Sequence, residues 1–316
     1  MELRGASALV TGATGGLGQA IARRLGAEGC RLTLTGRRAD ALEPVATAVG
    51  GTALVADLSQ DDDVARVGKA DVDILVANAA LPGVGELESF SPEQIDRVLD
   101  VNLRAPIMLA REPMRRPPTF GESLDGPASR WRRCRSTHVQ PGTREDRRLA
   151  SGNLDPPIDP PTSAVTAIGE RMLARGRGHV VLIASLSGKS ATPVSSLYNA
   201  TKFGLRGFAL ALRQDWEPLG VGVSCVNPGP IAGAGMFHEG GADLPKGVRR
   251  KTPEDVADAV VRAIRTNRAE VDVADPVMRA GAWLSLAAPQ TAARLGRIDG
   301  AERVARQLAE GHAENR

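Results

Sequence analysis

The octapeptide Thr11-Gly12-Ala13-Thr14-Gly15-Gly16-Leu17-Gly18 sits where one sequence pattern gives way to another. Before it, Ala6-Ser7-Ala8-Leu9-Val10-Thr11 reads as a buried strand, and from Gly18 to Leu25 the apolar residues fall at helical spacing. The glycines at this junction have separate uses. Gly12 permits a tight turn, Gly16 lets the backbone come close to a ligand's pyrophosphate, and Gly18 allows close helix packing. The helix start then offers free N–H groups and a positive dipole end. A glycine-rich turn alone also suits an ordinary strand–helix connection; the strand before it and the helix after it give the signal its strength.

Outward from this turn the alternation continues. Arg31 to Thr35 is a second strand, followed by a helical pattern from Asp40 to Val49, and Thr52 to Val55 and Asp73 to Ala77 extend the series. It resumes with a strand at His179 to Ile183, a helix from Ser196 to Trp216 and a strand at Gly222 to Val226. Thr252-Pro253-Glu254-Asp255 opens another helix with an N-cap, a proline at the first helical position and early acids. Glu270 to Val273 is the last strand expected. Strands separated by helices imply βαβ units, a parallel sheet and right-handed crossovers.

The 316 residues can bury a substantial core, and with aromatics at 3% that core must be built from Ala, Val, Leu and Ile. Three cysteines, Cys30, Cys134 and Cys225, are odd in number and widely separated, which excludes a disulfide framework and favours a reducing compartment. The histidines His138, His179, His238 and His312 are scattered without metal-ligand spacing; no metal is expected, and each is read as solvated or capping. Met1-Glu2-Leu3-Arg4 lacks an apolar leader and no run is long enough to span a bilayer, so the expectation is a cytoplasmic protein without stable membrane insertion.

One stretch interrupts the pattern. Pro113 to Ser163 is dense in proline, has no apolar periodicity, and carries nine arginines against six acids, an excess equal to the whole chain's net charge of +3. Such composition cannot bury enough surface to offset its ordering entropy. With Trp131 the one aromatic among its clustered arginines, it does not read as a nucleic-acid arm. Its flanks, Asn102 to Arg111 and Ala164 to Ala174, are both helix-like and would make one helix if joined. The expectation is one domain in two parts, 1–112 and 164–275, with a non-catalytic insertion at 113–163 and a helical tail at 276–316.

Two further groups carry chemistry. At the end of the second strand, where a carboxylate would bond the ribose 2′-hydroxyl of NAD, stand Gly36, Arg37 and Arg38. A guanidinium matches a phosphate through paired, charge-assisted bonds, which favours NADP over NAD. Downstream, Ser185 follows the strand at His179, and Tyr198 and Lys202 stand four apart on one helix face. A free phenol, with a pKa near ~10, is a poor base at neutral pH, and a nearby ammonium should lower that value. Ser185 can hold the same substrate oxygen beside the phenol. Tyr198 is the chain's single tyrosine.

With these motifs in this order, the sequence resembles the short-chain dehydrogenase/reductase family. The likeness covers the chain apart from Pro113 to Ser163 and, less closely, the tail after Asp275. It implies a Rossmann-type, doubly wound α/β fold with a mostly parallel seven-stranded sheet and helices on both faces. Gly12, Gly16 and Gly18, with Thr14 and Leu17 between them, match the family's cofactor turn; Asp57, followed by Leu58, matches the acid that bonds the adenine. Val76-Ala77-Asn78-Ala79-Ala80 matches an Asn-Asn-Ala-Gly strand end, with Ala77 and Ala80 as departures and Asn78 and Ala79 at the cofactor. Asn102 matches the asparagine that holds a proton-relay water, and Ser185, Tyr198 and Lys202 match the other catalytic residues. Tyr198 and Lys202 would also touch the cofactor. Asn227-Pro228-Gly229 matches the loop beneath the nicotinamide, with Ile231 giving a backbone contact; the family's threonine there is Gly233 here.

The resemblance implies an NADP-dependent oxidoreductase acting on an alcohol or carbonyl substrate, and a homodimer or homotetramer. Its assembly could be perturbed by the insertion, because the helix begun at Asn102 commonly pairs across the family's dimer interface. A non-catalytic NADP-binding protein, or a chain inactivated by the insertion, is the alternative. The substrate pocket is expected from Leu186 to Pro193 and from Pro230 to Pro245, with Gly240-Gly241 in a mobile lid. Arg279 to Leu295 reads as a C-terminal helix over the substrate end, since Pro289 interrupts it as a membrane anchor.

Overall fold

Buried apolar tetrapeptides such as Ile74-Leu75-Val76-Ala77 have no polar face to give to water, and the protein places them in a sheet covered on both sides. The computed structural model describes residues 1–111, 167–242, 249–298 and 301–312. Its strands are β1 (Ser7–Val10), β2 (Arg31–Gly36), β3 (Thr52–Val55), β4 (Ile74–Ala77), β5 (Gly178–Ile183), β6 (Val221–Pro228) and β7 (Glu270–Val273). Between them lie α1 (Gly16–Ala27), α2 (Ala39–Ala48), α3 (Asp61–Gly68), α4 (Pro92–Leu99), α5 (Ala105–Ala110) and α6 (Ile168–Arg175). Then come α7 (Ser196–Trp216), α8 (Met236–Glu239) and α9 (Pro253–Thr266), and after β7 three more helices, α10 (Pro276–Ala287), α11 (Pro289–Ile298) and α12 (Ala301–Gly311). The segment read as an insertion lies outside the described residues, as do Cys134, His138 and 243–248 of the expected lid.

All seven strands are parallel, in the order β3-β2-β1-β4-β5-β6-β7. The chain works outward from β1 in one direction and then from β4 in the other. The crevice at the carboxyl ends of β1 and β4 is therefore the switch point where ligands bind in such sheets. One core layer packs α1, α2 and α9 on the sheet through Ile21, Leu25, Leu42, Val260 and Ile264. The other packs α3, α5, α6 and α7 through Val67, Leu109, Met172, Leu205 and Trp216.

Several local expectations are corrected. The helix expected from Asn102 is continuous with α4, but it passes through a π-turn at Asp100–Arg104 before becoming α5. A Cβ placed on Gly169 would collide with the Ala110 carbonyl, so α5 ends against the start of α6. Arg279 to Leu295 is not one helix: Ala288 leaves helical geometry at φ −144° and ψ 70°. Pro289 behind it disfavours the helical region there. Nor are all the histidines solvated. His179 is buried against the Ser224 hydroxyl at 2.8 Å, and burial drives its pKa down to about 3. His312 is buried too, its Nε2 at 2.7 Å from the Met236 carbonyl, where α12 rests on α8.

Candidate active site

The glycine turn behaves as its sequence suggests, with one addition. Gly12 has φ +64°, and a Cβ there would stand 2.7 Å from the Ala79 Cα. A Cβ on Gly18 would strike the Gly12 carbonyl, and one on Gly16 would strike the Ala234 methyl. The third contact shows that the chain after β6 folds back over the turn. The N-cap of α1, Gly15, makes no side-chain cap and its first turn holds no acid, whereas α4 and α9 both start with capping boxes. The orphan N–H groups of α1 are thus left to an anion.

A cavity of about 260 Å³ opens at this point. Of the residues expected at a cofactor, Gly12, Thr14, Gly16, Leu17, Gly18, Arg37, Asp57, Leu58, Asn78 and Ala79 line it. Arg38 does not; it is exposed at the start of α2, 3.9 Å from the Asp40 carboxylate. Asn78 faces inward as a brace: its amide donates to the carbonyls of Thr11 and Gly12 at 3.0 and 3.1 Å. Thr11, which the sequence reading leaves as a strand residue, accepts from the backbone N–H of Asn78 and of Ala79 through its hydroxyl. Asp57 accepts from the N–H and hydroxyl of Ser59, at 3.0 and 2.8 Å. Gly235, Met236 and Glu239 also line it. The segment expected as a substrate lid therefore also stands over this cavity, through α8.

The second group includes Asn102, which is tied to Leu81, a residue that lines the same cavity. Asn102 is fully buried, and its amide is spent on the backbone of Leu81: Oδ1 accepts from the N–H at 2.6 Å and Nδ2 donates to the carbonyl at 2.9 Å. Tyr198 begins the first turns of α7, where its backbone N–H donates to Gly83 at 3.1 Å. Lys202, one turn on and 2% exposed, donates to the Ile183 carbonyl at 3.1 Å and lies 5.5 Å from the centroid of the Tyr198 ring. The Ser185 hydroxyl accepts from the Ser187 N–H at 3.0 Å, donates to the Pro228 carbonyl at 3.4 Å, and lies close enough to the Tyr198 phenol to lower its pKa. Nearby, Gly229 donates to Val273 at 2.9 Å, and Ile231 is bridged to Lys251.

The titration of this pair departs from the sequence expectation. Burial raises the Tyr198 phenol to about 12, and the hydrogen bond with Ser185 recovers only part of that rise. Burial lowers Lys202 to about 8, with the neighbouring Cys225 acting weakly the other way. Spacing on a helix face speaks to proximity; it is silent on desolvation, which is the larger effect for both groups. At neutral pH the phenol holds its proton.

The short chain dehydrogenase family matches residues 6–116 and 157–244. Nodulation protein G of a Rhizobium species is 30% identical over 87% of this chain and 89% of its own length. A ketoacyl reductase of a Nostoc species is 28% identical over 91% of this chain and 85% of its own. Among solved structures, a metagenomic short-chain oxidoreductase in complex with NADP superposes with a TM-score of 0.57 at 27% identity, covering 86% of this chain and 98% of that one. Among the described residues, no group of His, Cys, Asp or Glu could hold a metal ion, and no helix is long and apolar enough to cross a membrane.

Proposed function

This chain belongs to the short chain dehydrogenase family and is an oxidoreductase acting on a small-molecule substrate; on that premise we propose that it moves a hydride between NADP and an alcohol or carbonyl carbon, with Tyr198 exchanging the proton. The observation that carries the proposal is the Tyr198 phenol with the Lys202 ammonium 5.5 Å from its ring centroid and the Ser185 hydroxyl close enough to lower its pKa, beside a glycine-lined cavity whose Leu81 is held by Asn102. The cavity fits a dinucleotide: its glycines leave the space that Cβ atoms would fill, and α1 presents uncapped N–H groups to the phosphates. Arg37 at its edge, with no carboxylate at the end of β2, supports a 2′-phosphate. The NADP carried by the metagenomic relative agrees with that choice.

When bound, the nicotinamide supplies or takes up the hydride. The protein's own groups handle the oxygen. Tyr198, protonated at neutral pH, donates to the carbonyl oxygen during reduction, and Ser185 holds that oxygen in line with a second hydrogen bond. Lys202 places a positive charge where the phenolate forms, which stabilises the product of proton transfer. Asn102 positions rather than reacts, because its amide fixes Leu81 in the loop after β4.

The test is a titration of NADPH and NADH by cofactor fluorescence, followed by NADPH oxidation with aliphatic, steroid, quinone and ketoacyl carbonyls. Tighter NADPH binding with turnover of at least one class is the expected result. Tight NADPH binding without turnover across the panel would leave a cofactor-binding protein instead.

A further inference from the structure

Ser185 stands two residues past β5, and its hydroxyl donates to the Pro228 carbonyl at 3.4 Å. It starts a single turn at Leu186–Gly188 in which the Ser187 N–H donates to the Ser185 hydroxyl at 3.0 Å and the Gly188 N–H to its carbonyl at 2.9 Å. Three side chains anchor this turn to the body of the protein, and one of them, Asn199 of α7, donates to the Ser187 and Ser190 carbonyls at 2.9 and 3.1 Å. Leu186 enters a small apolar cluster with Ala274 and Ala282. The third is Lys189, at the end of the turn, and it is 1% exposed. A lysine stem is long enough to carry its ammonium to water, and most do so. Here Nζ turns inward, 2.7 and 3.0 Å from the two carboxylate oxygens of Asp272 and 3.4 Å from Glu270 Oε1. The ring of Trp283 covers it at 5.2 Å.

The carboxylates are shared with the rest of the site. Asn227, just before Pro228 and Gly229, donates to Asp272 at 2.9 Å and to Glu270 at 3.3 Å. Arg206, one turn beyond Lys202 on α7, binds both oxygens of Glu270 at 2.6 and 3.0 Å. Two acids, two bases and an amide thus join the four segments that carry the proposed chemistry: the Ser185 turn, α7, the end of β6 and β7. A buried charge held by several partners has one acceptable position, whereas an apolar contact tolerates sliding.

We infer that Lys189 is a positioning residue: its buried ammonium clamps the Ser185 turn to β7 and so fixes the Ser185 hydroxyl beside Tyr198. This rests on the reading of Ser185 and Tyr198 as the substrate-facing pair. The chain offers a readout that needs no substrate, because its single tyrosine gives one ring resonance in NMR of isotope-labelled protein.

Four variants are compared with the wild type: Ser185→Ala, Lys189→Met, Lys189→Arg, and Lys189→Met combined with Asp272→Asn. The last removes both charges, so a fold lost to an unpaired Asp272 carboxylate is recovered. Lys189→Met, or the double variant if the single one fails to fold, should shift the tyrosine resonance in the same direction as Ser185→Ala. It should lower kcat by roughly 10- to 100-fold, the scale of a small misplacement of reacting groups. KM and NADPH affinity should stay near wild type, and Lys189→Arg should recover part of kcat. A folded neutral pair with a wild-type tyrosine resonance and wild-type kcat would overturn the proposal and reduce Lys189 to a fold-stabilising residue. An inert wild type would count against the oxidoreductase mechanism and leave the resonance comparison to decide this one.

Discussion

The two halves of the site are built from different materials. At the β1–β4 ends the walls are backbone: three glycines, an uncapped helix start, and a strand end braced by Thr11 and Asn78. At the β5–β6 ends the geometry is set by side chains buried with their charges, Lys202 against a carbonyl and Lys189 among carboxylates. The backbone half leaves room for a ligand through missing Cβ atoms, at little electrostatic cost. The side-chain half takes ammonium groups out of water and half-buries a phenol, and the Lys202 and Tyr198 pKa values record the expense.

Removing the phenol should separate the halves most sharply. Tyr198→Phe keeps the ring on α7 and deletes the proton, so kcat should fall by about 10²- to 10⁴-fold, the usual worth of a positioned acid. NADPH affinity, set by the glycine half, should hold. Stopped-flow NADPH oxidation beside a fluorescence titration reads both, and a variant that keeps most of its turnover would break the assignment.

Lys202→Met tests the cost of the charged half. Burial lowers the Lys202 pKa from 10.5 to about 8, so between those pH values the unfolded chain binds more protons than the folded one. Stability therefore rises with pH across that window, and below pH 8 the full penalty is present. The methionine variant should melt higher than wild type at pH 7, by up to about 3 kcal/mol less the lost bond to Ile183, and the gain should vanish near pH 10.5. Tyr198 acts oppositely at higher pH. Its folded value of about 12 lies above the ordinary 10.0, so stability falls between them in wild type and variant alike. A melting difference independent of pH would show that Lys202 does not carry the penalty.

Arg37→Ala should touch only the backbone half. One lost charge-assisted bond to a 2′-phosphate is worth about 1.5–3 kcal/mol, roughly 10- to 100-fold in NADPH affinity, with NADH binding and kcat unchanged. Arg38→Ala should do less, because that side chain lies outside the cavity near Asp40. Equal affinities of the wild type for both cofactors would remove the basis for the comparison.

The same contrast explains what could be read from sequence. The glycine turn is local: Gly12 and Gly18 are six residues apart, and their constraint follows from φ angle and clash alone. The inner strands were legible because buried parallel strands are nearly continuous apolar runs, and the edge strands β3 and β7 because they continue the strand–helix alternation. The Lys189–Asp272 pair spans 83 residues, and nothing in either neighbourhood announces the other. The raised phenol was illegible for a related reason, since burial is a sum over distant elements. α4 was within reach, as Ser91-Pro92-Glu93-Gln94 is a capping box that the strand-by-strand reading passed over.

The smallest expected effect lies where the halves meet. Val194, four residues before Tyr198, has φ +56°, a left-handed conformation that a β-branched side chain resists. Its carbonyl accepts from the Gly85 N–H at 2.7 Å, which ties the entry of α7 to the loop after β4. That bond supports the strained geometry. Val194→Gly should release about 1–3 kcal/mol of strain and lose about 0.5–1 kcal/mol to the freer unfolded chain. A net gain of about 1 kcal/mol, seen as a small rise in melting temperature, is the expected balance. If the strain also helps to aim Tyr198, kcat should fall as stability rises while NADPH affinity stays constant. A stabler variant with unchanged kcat would show that the strain is incidental to the chemistry, and that the Ser185 turn and Lys202 suffice to hold the phenol.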